Sequence, residues 1–317
     1  MGQPHWVIQA TGWMMLPWHR RLRRRTYEGL ARVLLMVLGA LPAKVGYAVG
    51  RGLARLALRL RIDDVCLARR NLALVFPDGD ASWQLTTVKA ATDRLGENLF
   101  DTLTLERWLN DSYSRVTDDG ALAELQRLRA EGNGVLILTG HFGCWELLGA
   151  WLAYVMGGLT VVTGVVRNAP VDRLLNDRRR RLGLNPVPRD GDLRPLLRTL
   201  RSGGVAALLM DQNVKSPSLD VPFCGVDAPT AQGFAALAQR TQAPILPLAI
   251  QRERGGHRVI HLPPLRPEEF GEFADWAEVL RECNVRLETF LRGNPQEWVW
   301  FHERWPETKT GSMEAES

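Results

Sequence analysis

Val135-Leu136-Ile137-Leu138-Thr139-Gly140-His141-Phe142-Gly143-Cys144-Trp145-Glu146 decides the fold. Its first residues form a short continuous apolar run with glycines at either end, Gly134 and Gly140. Such a run predicts a strand buried on both faces, as in a parallel sheet between helical layers. A helix is predicted next, over 144–154, so the stretch is a strand–turn–helix unit. Outward from it, further strands are predicted at 159–166, 205–210, 245–250 and 258–262. Helices are predicted at 64–75, 81–109, 170–182, 193–201, 230–241 and 275–291, and from an Asp118 or Asp119 cap to 130. Strands alternating with helices imply crossover connections. The expected class is therefore α/β, with a mostly parallel central sheet flanked by helices.

The amino-terminal segment has a different character. A basic cluster, His19-Arg20-Arg21-Leu22-Arg23-Arg24-Arg25, precedes an apolar stretch over 30–60 that Pro42 and Lys44 interrupt. Extended to Gly50, its apolar part approaches the roughly 20 residues a spanning helix needs. Arg51, Arg55, Arg59 and Arg61 flank its far end, which equally suits a helix lying in the membrane interface. Either arrangement predicts a helical membrane anchor, with the arginines on the cytoplasmic face. The expected organisation is an anchoring segment at 1–62, a catalytic domain at 63–306 and a flexible polar tail at 307–317.

The chain has 317 residues, 45% of them hydrophobic, with a net charge of +5. Its mean hydropathy of −0.15 excludes a polytopic membrane protein. Of 40 basic residues only Lys44, Lys89, Lys215 and Lys309 are lysines. The arginine excess suits phosphate and carboxylate binding, although genome base composition produces the same skew. Cys66, Cys144, Cys224 and Cys283 are scattered, with neither zinc-ligand spacing nor a compact disulfide framework, which fits a reducing compartment. No recognised nucleic-acid motif accompanies the charge, so no nucleic-acid partner is expected.

His141 and Glu146 stand at the carboxyl end of the decisive strand, where open α/β sheets place ligands. Residues five apart on a regular helix lie about 140° apart and do not face each other. With His141 on the turn and Glu146 in the first helical turn, the two can meet. The carboxylate would then fix the imidazole tautomer and leave the other ring nitrogen to take a proton from a hydroxyl. Gly140 and Gly143 allow the tight turn and a close approach of substrate. Cys144 beside the motif raises an acyl-cysteine alternative. Asp211 could orient His141 or Arg180, or bind a substrate hydroxyl.

These residues resemble the late acyltransferases of lipid A biosynthesis (lauroyl/myristoyl type), within the lysophospholipid acyltransferase superfamily. The resemblance covers about 30–305. Its core is the His-x4-Glu pattern of His141 and Glu146 after a strand; the wider superfamily usually has Asp at the second place. Arg69-Arg70-Asn71-Leu72 with Phe76-Pro77 is similar to the family's Asn-Leu-x-x-x-Phe-Pro segment. Val166-Arg167 resembles its Tyr-Arg, and Arg180 falls where the family carries an important arginine. Asp211-Gln212 resembles its Asp-Gln or Asp-His. Val221-Pro222-Phe223-Cys224-Gly225 through Thr230 and Gly233 is similar to its Pro-Phe-Phe-Gly…Thr…Gly run. The run from Glu297 to Trp305 is similar to its closing aromatic and basic segment, with Glu303 where a base is usual.

The resemblance implies a glycerolipid-acyltransferase-like fold and an O-acyltransferase in lipid A and lipopolysaccharide biosynthesis, at the cytoplasmic face of the bacterial inner membrane. His141 would act as general base with Glu146. Arg167, Arg180, Asp211, Gly143 and Gln212 would bind substrate, with amides near Gly143 or an arginine stabilising the oxyanion. The donor would be an acyl-carrier-protein or coenzyme A thioester, and the acceptor a phosphorylated glycolipid, with no metal or resident cofactor. Rival acceptors are a lysophospholipid, an ornithine lipid or a mannosylated phosphatidylinositol. A non-catalytic lipid-binding protein and a hydrolase are the alternatives from other classes.

Overall fold

The computed structural model describes Gly29 and residues 37–306, apart from 165, 167–168, 190, 214–216, 267–268 and 270–274. Residues 37–40 are helical, and after them come α1 (Ala43–Leu60), α2 (Ile62–Val75), α3 (Ala81–Leu103) and the short α4 (Leu105–Asn110). Then come β1 (Val116–Asp118), α5 (Ala121–Ala130), β2 (Val135–Thr139), α6 (Trp145–Met156), β3 (Leu159–Thr163) and α7 (Ala169–Arg181). The chain continues through β4 (Leu184–Pro188), α8 (Arg194–Arg201), β5 (Val205–Leu209), β6 (Ser218–Phe223), β7 (Val226–Ala231) and α9 (Gly233–Thr241). It closes with β8 (Ile245–Glu253), β9 (Gly256–His261) and α10 (Trp276–Gly293).

Seven strands form one sheet in the order β1-β9-β8-β2-β5-β3-β4. Pairing is parallel except between β8 and β9, so the expected α/β class and mostly parallel sheet are observed. Every residue of β2 is buried. Leu136 and Leu138 feed the apolar cluster on one sheet face, Ile137 and Val135 the cluster on the other. That two-sided burial explains why its sequence is continuously apolar rather than alternating.

Several elements depart from the sequence expectations. β4 carries Pro186 and Pro188, which a sheet tolerates only at an edge, and it is the edge strand beside β3. The helix expected over 230–241 begins only at Gly233, because Thr230 and Ala231 close an antiparallel hairpin of β6 and β7. Its two turn residues, Cys224 and Gly225, both have positive φ (55° and 85°), as the tight hairpin turn requires. The helix expected over 81–109 breaks at Thr104 into α3 and α4.

Most of the expected anchor (1–28 and 30–36) lies outside the described residues, as does the tail over 307–317. Among the described residues no helix is long and apolar enough to cross a membrane. α1 instead packs on α3 at Gly50 and Gly96. A methyl on Gly50 would lie 2.2 Å from the Gly96 carbonyl oxygen, so the two backbones touch directly. The outward side of α1 leaves Leu53, Leu56 and Leu60 more than half exposed.

Candidate active site

His141 and Asp211 meet because of strand register. β2 and β5 pair in parallel with Thr139 opposite Leu209, so residues two past each strand end lie side by side. His141 Nδ1 is 2.8 Å from Asp211 Oδ1, and the His141 backbone N–H donates to Oδ2 at 2.7 Å. Trp298 Nε1 also donates to Oδ2 at 2.7 Å, and His302 Nε2 lies 3.3 Å from the Asp211 carbonyl oxygen. Asp211 is fully buried. Burial alone would raise its pKa, but the His141 ring and these hydrogen bonds outweigh it and hold the carboxyl well below the usual range. An ionised carboxylate only accepts, so Nδ1 carries a proton, and in the neutral ring Nε2 holds the lone pair. Burial also lowers the pKa of His302, which favours its neutral form.

The turn that presents His141 is fixed by Gly143. Its φ is +52°, and a Cβ there would lie 2.0 Å from the Ile250 carbonyl oxygen of β8. Its N–H donates to the Glu297 carbonyl oxygen at 2.8 Å. That amide is therefore committed to the fold, which corrects the expectation that it binds substrate oxygen. Asn71 secures the same closing segment by donating to the Trp300 and His302 carbonyl oxygens at 3.0 and 2.9 Å.

Glu146 does not pair with His141, the second correction. It sits in the first turn of α6, where its carboxylate forms a two-point pair with Arg179 of α7: Nη2 to Oε1, and Nε to Oε2 at 3.2 Å. Asp211 takes the orienting place assigned to Glu146, because strand register brings it closer to the ring than the first helical turn does. Arg180 is exposed and paired with Asp177 at 2.9 Å, so it points away from the site. Arg178 is buried against Glu106, with Nε 2.6 Å from Oε1. Arg179→Ala is expected to lower kcat/KM by about 10²–10³-fold. Arg180→Ala should stay within about twofold, since an exposed ion pair contributes little. Steady-state rates of the two variants test the assignment, and equal losses would refute it.

One cavity of about 540 Å³ gathers these groups. His141, Glu146, Arg179 and Gln212 line it together with apolar side chains that include Leu148, Leu152, Leu159, Val161 and Leu184. Gln212 is thus part of the cavity wall, and Arg167 lies outside the described residues. His141 contacts Trp145 edge-on, with ring centroids 4.9 Å apart. Cys144 points elsewhere. It is buried, with Sγ 3.6 Å from the Asn98 carbonyl oxygen, and burial pushes its thiol up to about 12. A thiol so rarely ionised is a poor nucleophile. Cys144→Ala should retain activity within about threefold; loss of all transfer would revive the acyl-cysteine route.

Two contributors escaped the sequence reading. Arg179 was legible from helix periodicity: Val171, Leu174 or Leu175, and Leu182 mark the inner face of α7, which places 178 and 179 inward and 180 outward. Trp298 carries no such signal. Its indole reaches Asp211 only through the path of the closing segment, which forms a bridge with Phe142.

A family model described as bacterial lipid A biosynthesis acyltransferase matches residues 16–307. The lipid A biosynthesis lauroyltransferase of Escherichia coli (strain K12) is 27% identical over 287 residues, covering 88% of this chain and 90% of that protein. The phosphatidylinositol mannoside acyltransferase of Mycobacterium tuberculosis (strain CDC 1551 / Oshkosh) is 25% identical over 243 residues, covering 75% and 76%. The lipid A biosynthesis palmitoleoyltransferase of Escherichia coli (strain K12) is 24% identical over 251 residues, covering 77% and 79%.

Proposed function

The chain belongs to the bacterial lipid A biosynthesis acyltransferase family, and on that premise we propose that it moves a fatty acyl group from a thioester to a hydroxyl of a phosphorylated glycolipid. That it is an O-acyltransferase follows from the family; donor, acceptor and residue roles are the proposal. The observation that carries it is the His141–Asp211 pair, whose ring lines an apolar cavity beside the Glu146–Arg179 pair.

In the proposed reaction, His141 Nε2 takes the proton of the acceptor hydroxyl as its oxygen attacks the thioester carbonyl. The imidazolium formed is balanced by Asp211. Arg179, fixed by Glu146, stabilises the oxyanion of the tetrahedral intermediate. The carbon–sulfur bond then breaks, and the thiolate leaves with the proton held by His141. No acyl-enzyme is required.

The donor proposed is an acyl-carrier-protein thioester, whose acidic carrier suits a basic chain, with coenzyme A as the other source. A lipid A precursor is the acceptor proposed first. A mannosylated phosphatidylinositol is the second, because a phosphatidylinositol mannoside acyltransferase matches three quarters of the chain. We place the enzyme on the cytoplasmic face of the inner membrane. Support comes from α1, whose exposed Leu53, Leu56 and Leu60 beside Arg59 suit an interfacial helix.

The deciding experiment incubates the purified protein with acyl-carrier and coenzyme A thioesters and each acceptor, followed by mass spectrometry. One acyl mass gained by an acceptor is expected. Thioester lost to water at the same rate with and without acceptor would make the protein a hydrolase and end the proposal.

A further inference from the structure

A second cavity, of about 300 Å³, lies between α3 and α7, and its walls include Leu95, Leu99, Leu103 and Leu175. Trp145, Glu146 and Arg179 line it as well as the larger cavity, so the two meet at the Glu146–Arg179 pair. Its charged wall groups and Thr102 are already engaged. Arg178 is held by Glu106, Arg179 by Glu146, and Thr102 Oγ1 lies 3.7 Å from Cys144 Sγ. A charged ligand gains little from such a wall, whereas an aliphatic chain gains with each methylene it buries. Leu99 is 48% exposed, which puts an apolar side chain where the wall meets the surface of α3.

We propose that this smaller cavity binds a hydrocarbon chain already carried by the lipid acceptor, while the larger one holds the donor's acyl chain. The inference rests on the acyltransferase reading above. Direct transfer without an acyl-enzyme requires donor and acceptor to be bound together, and each brings an aliphatic chain. Two apolar cavities sharing one charged wall satisfy that requirement. An acceptor whose chain fills the smaller one presents its polar part at Glu146 and Arg179, beside the nitrogen that must take its proton.

The test uses a single-chain phospholipid bearing a diazirine at the chain end, irradiated with the full-length protein and mapped by peptide mass spectrometry. Label is expected on residues 95–105 and around Leu175. Leu99→Trp, which fills the slot, should reduce that label by about tenfold, whereas Leu99→Ala, which widens it, should keep it. Label confined to residues 148–164, or unchanged by Leu99→Trp, would overturn the assignment. A transfer assay run in parallel keeps the two claims apart. Labelled 95–105 without any transfer by the wild type would leave the chain site standing and remove the acyltransferase reading. Transfer with label elsewhere would do the reverse.

Discussion

His141→Ala is expected to lower kcat by about 10³–10⁴-fold, with a much smaller change in the KM of the donor. The ring is only partly buried and its Nδ1 is occupied by Asp211, so Nε2 is the nitrogen left for chemistry. Among the described residues, Nε2 has no hydrogen-bond partner of its own. An alcohol hydroxyl near neutral pH is almost wholly protonated, and without a base its oxygen is a weak nucleophile toward an acyl group. His141→Gln separates that role from a structural one. An amide there can still donate to Asp211, but it offers no basic nitrogen. Both variants should therefore fall together in kcat while keeping the thermal midpoint within a few degrees. Activity restored by Gln, or an Ala variant within tenfold of wild type, would show that the ring only shapes the turn.

The parts of this site legible in the sequence are those that local patterns determine. The strand 135–139 was visible because burial on both faces makes it apolar throughout, and its glycines mark the turn that exposes His141. The same logic missed β4, whose prolines look like a loop until the strand is known to lie at an edge. It also missed the β6–β7 hairpin, whose turn is Cys224-Gly225 rather than an Asn-Gly signal. Glu146 is the carboxylate nearer to His141 in sequence, yet the ring pairs with Asp211, 70 residues away, which the sequence also marks as able to orient His141. Parallel register between β2 and β5 brings it there, and register depends on the whole sheet. Glu146 still lines the cavity, paired with Arg179, a residue that helical periodicity distinguishes from Arg180. Arg167 and most of the expected anchor fall outside the described residues.

Asp211→Asn should also cost about 10³–10⁴-fold in kcat, although it removes a single charge and keeps the side chain's shape. The reason lies in the two oxygens. Oδ2 accepts two donors, the His141 backbone N–H and the Trp298 indole, whereas Oδ1 faces His141 Nδ1 alone. An asparagine satisfies the greater number of donors by placing its one carbonyl oxygen at the Oδ2 position. Its NH2 then points at Nδ1, which must become the acceptor, so the proton moves to Nε2 and the base is lost. Asp211→Ala would lose the base's support too, but it would also strand the buried Trp298 N–H, at about 1–3 kcal/mol. The asparagine variant therefore isolates the tautomer effect, and ring-nitrogen NMR of His141 reads it directly. A proton still on Nδ1 in Asp211→Asn, with activity retained, would contradict the assignment. Acid unfolding gives a second readout. The folded carboxyl titrates below its ordinary value near about 4, so between those values the unfolded chain binds more protons than the folded one. The stability that wild type gains from this charge is complete above about pH 4 and declines as the pH falls below it. Asp211→Asn lacks that component, so the stability gap between the two should be widest near neutrality and narrow in acid. A gap that stayed constant down to low pH would mean that the Asp211 charge is not what His141 and Trp298 hold in place.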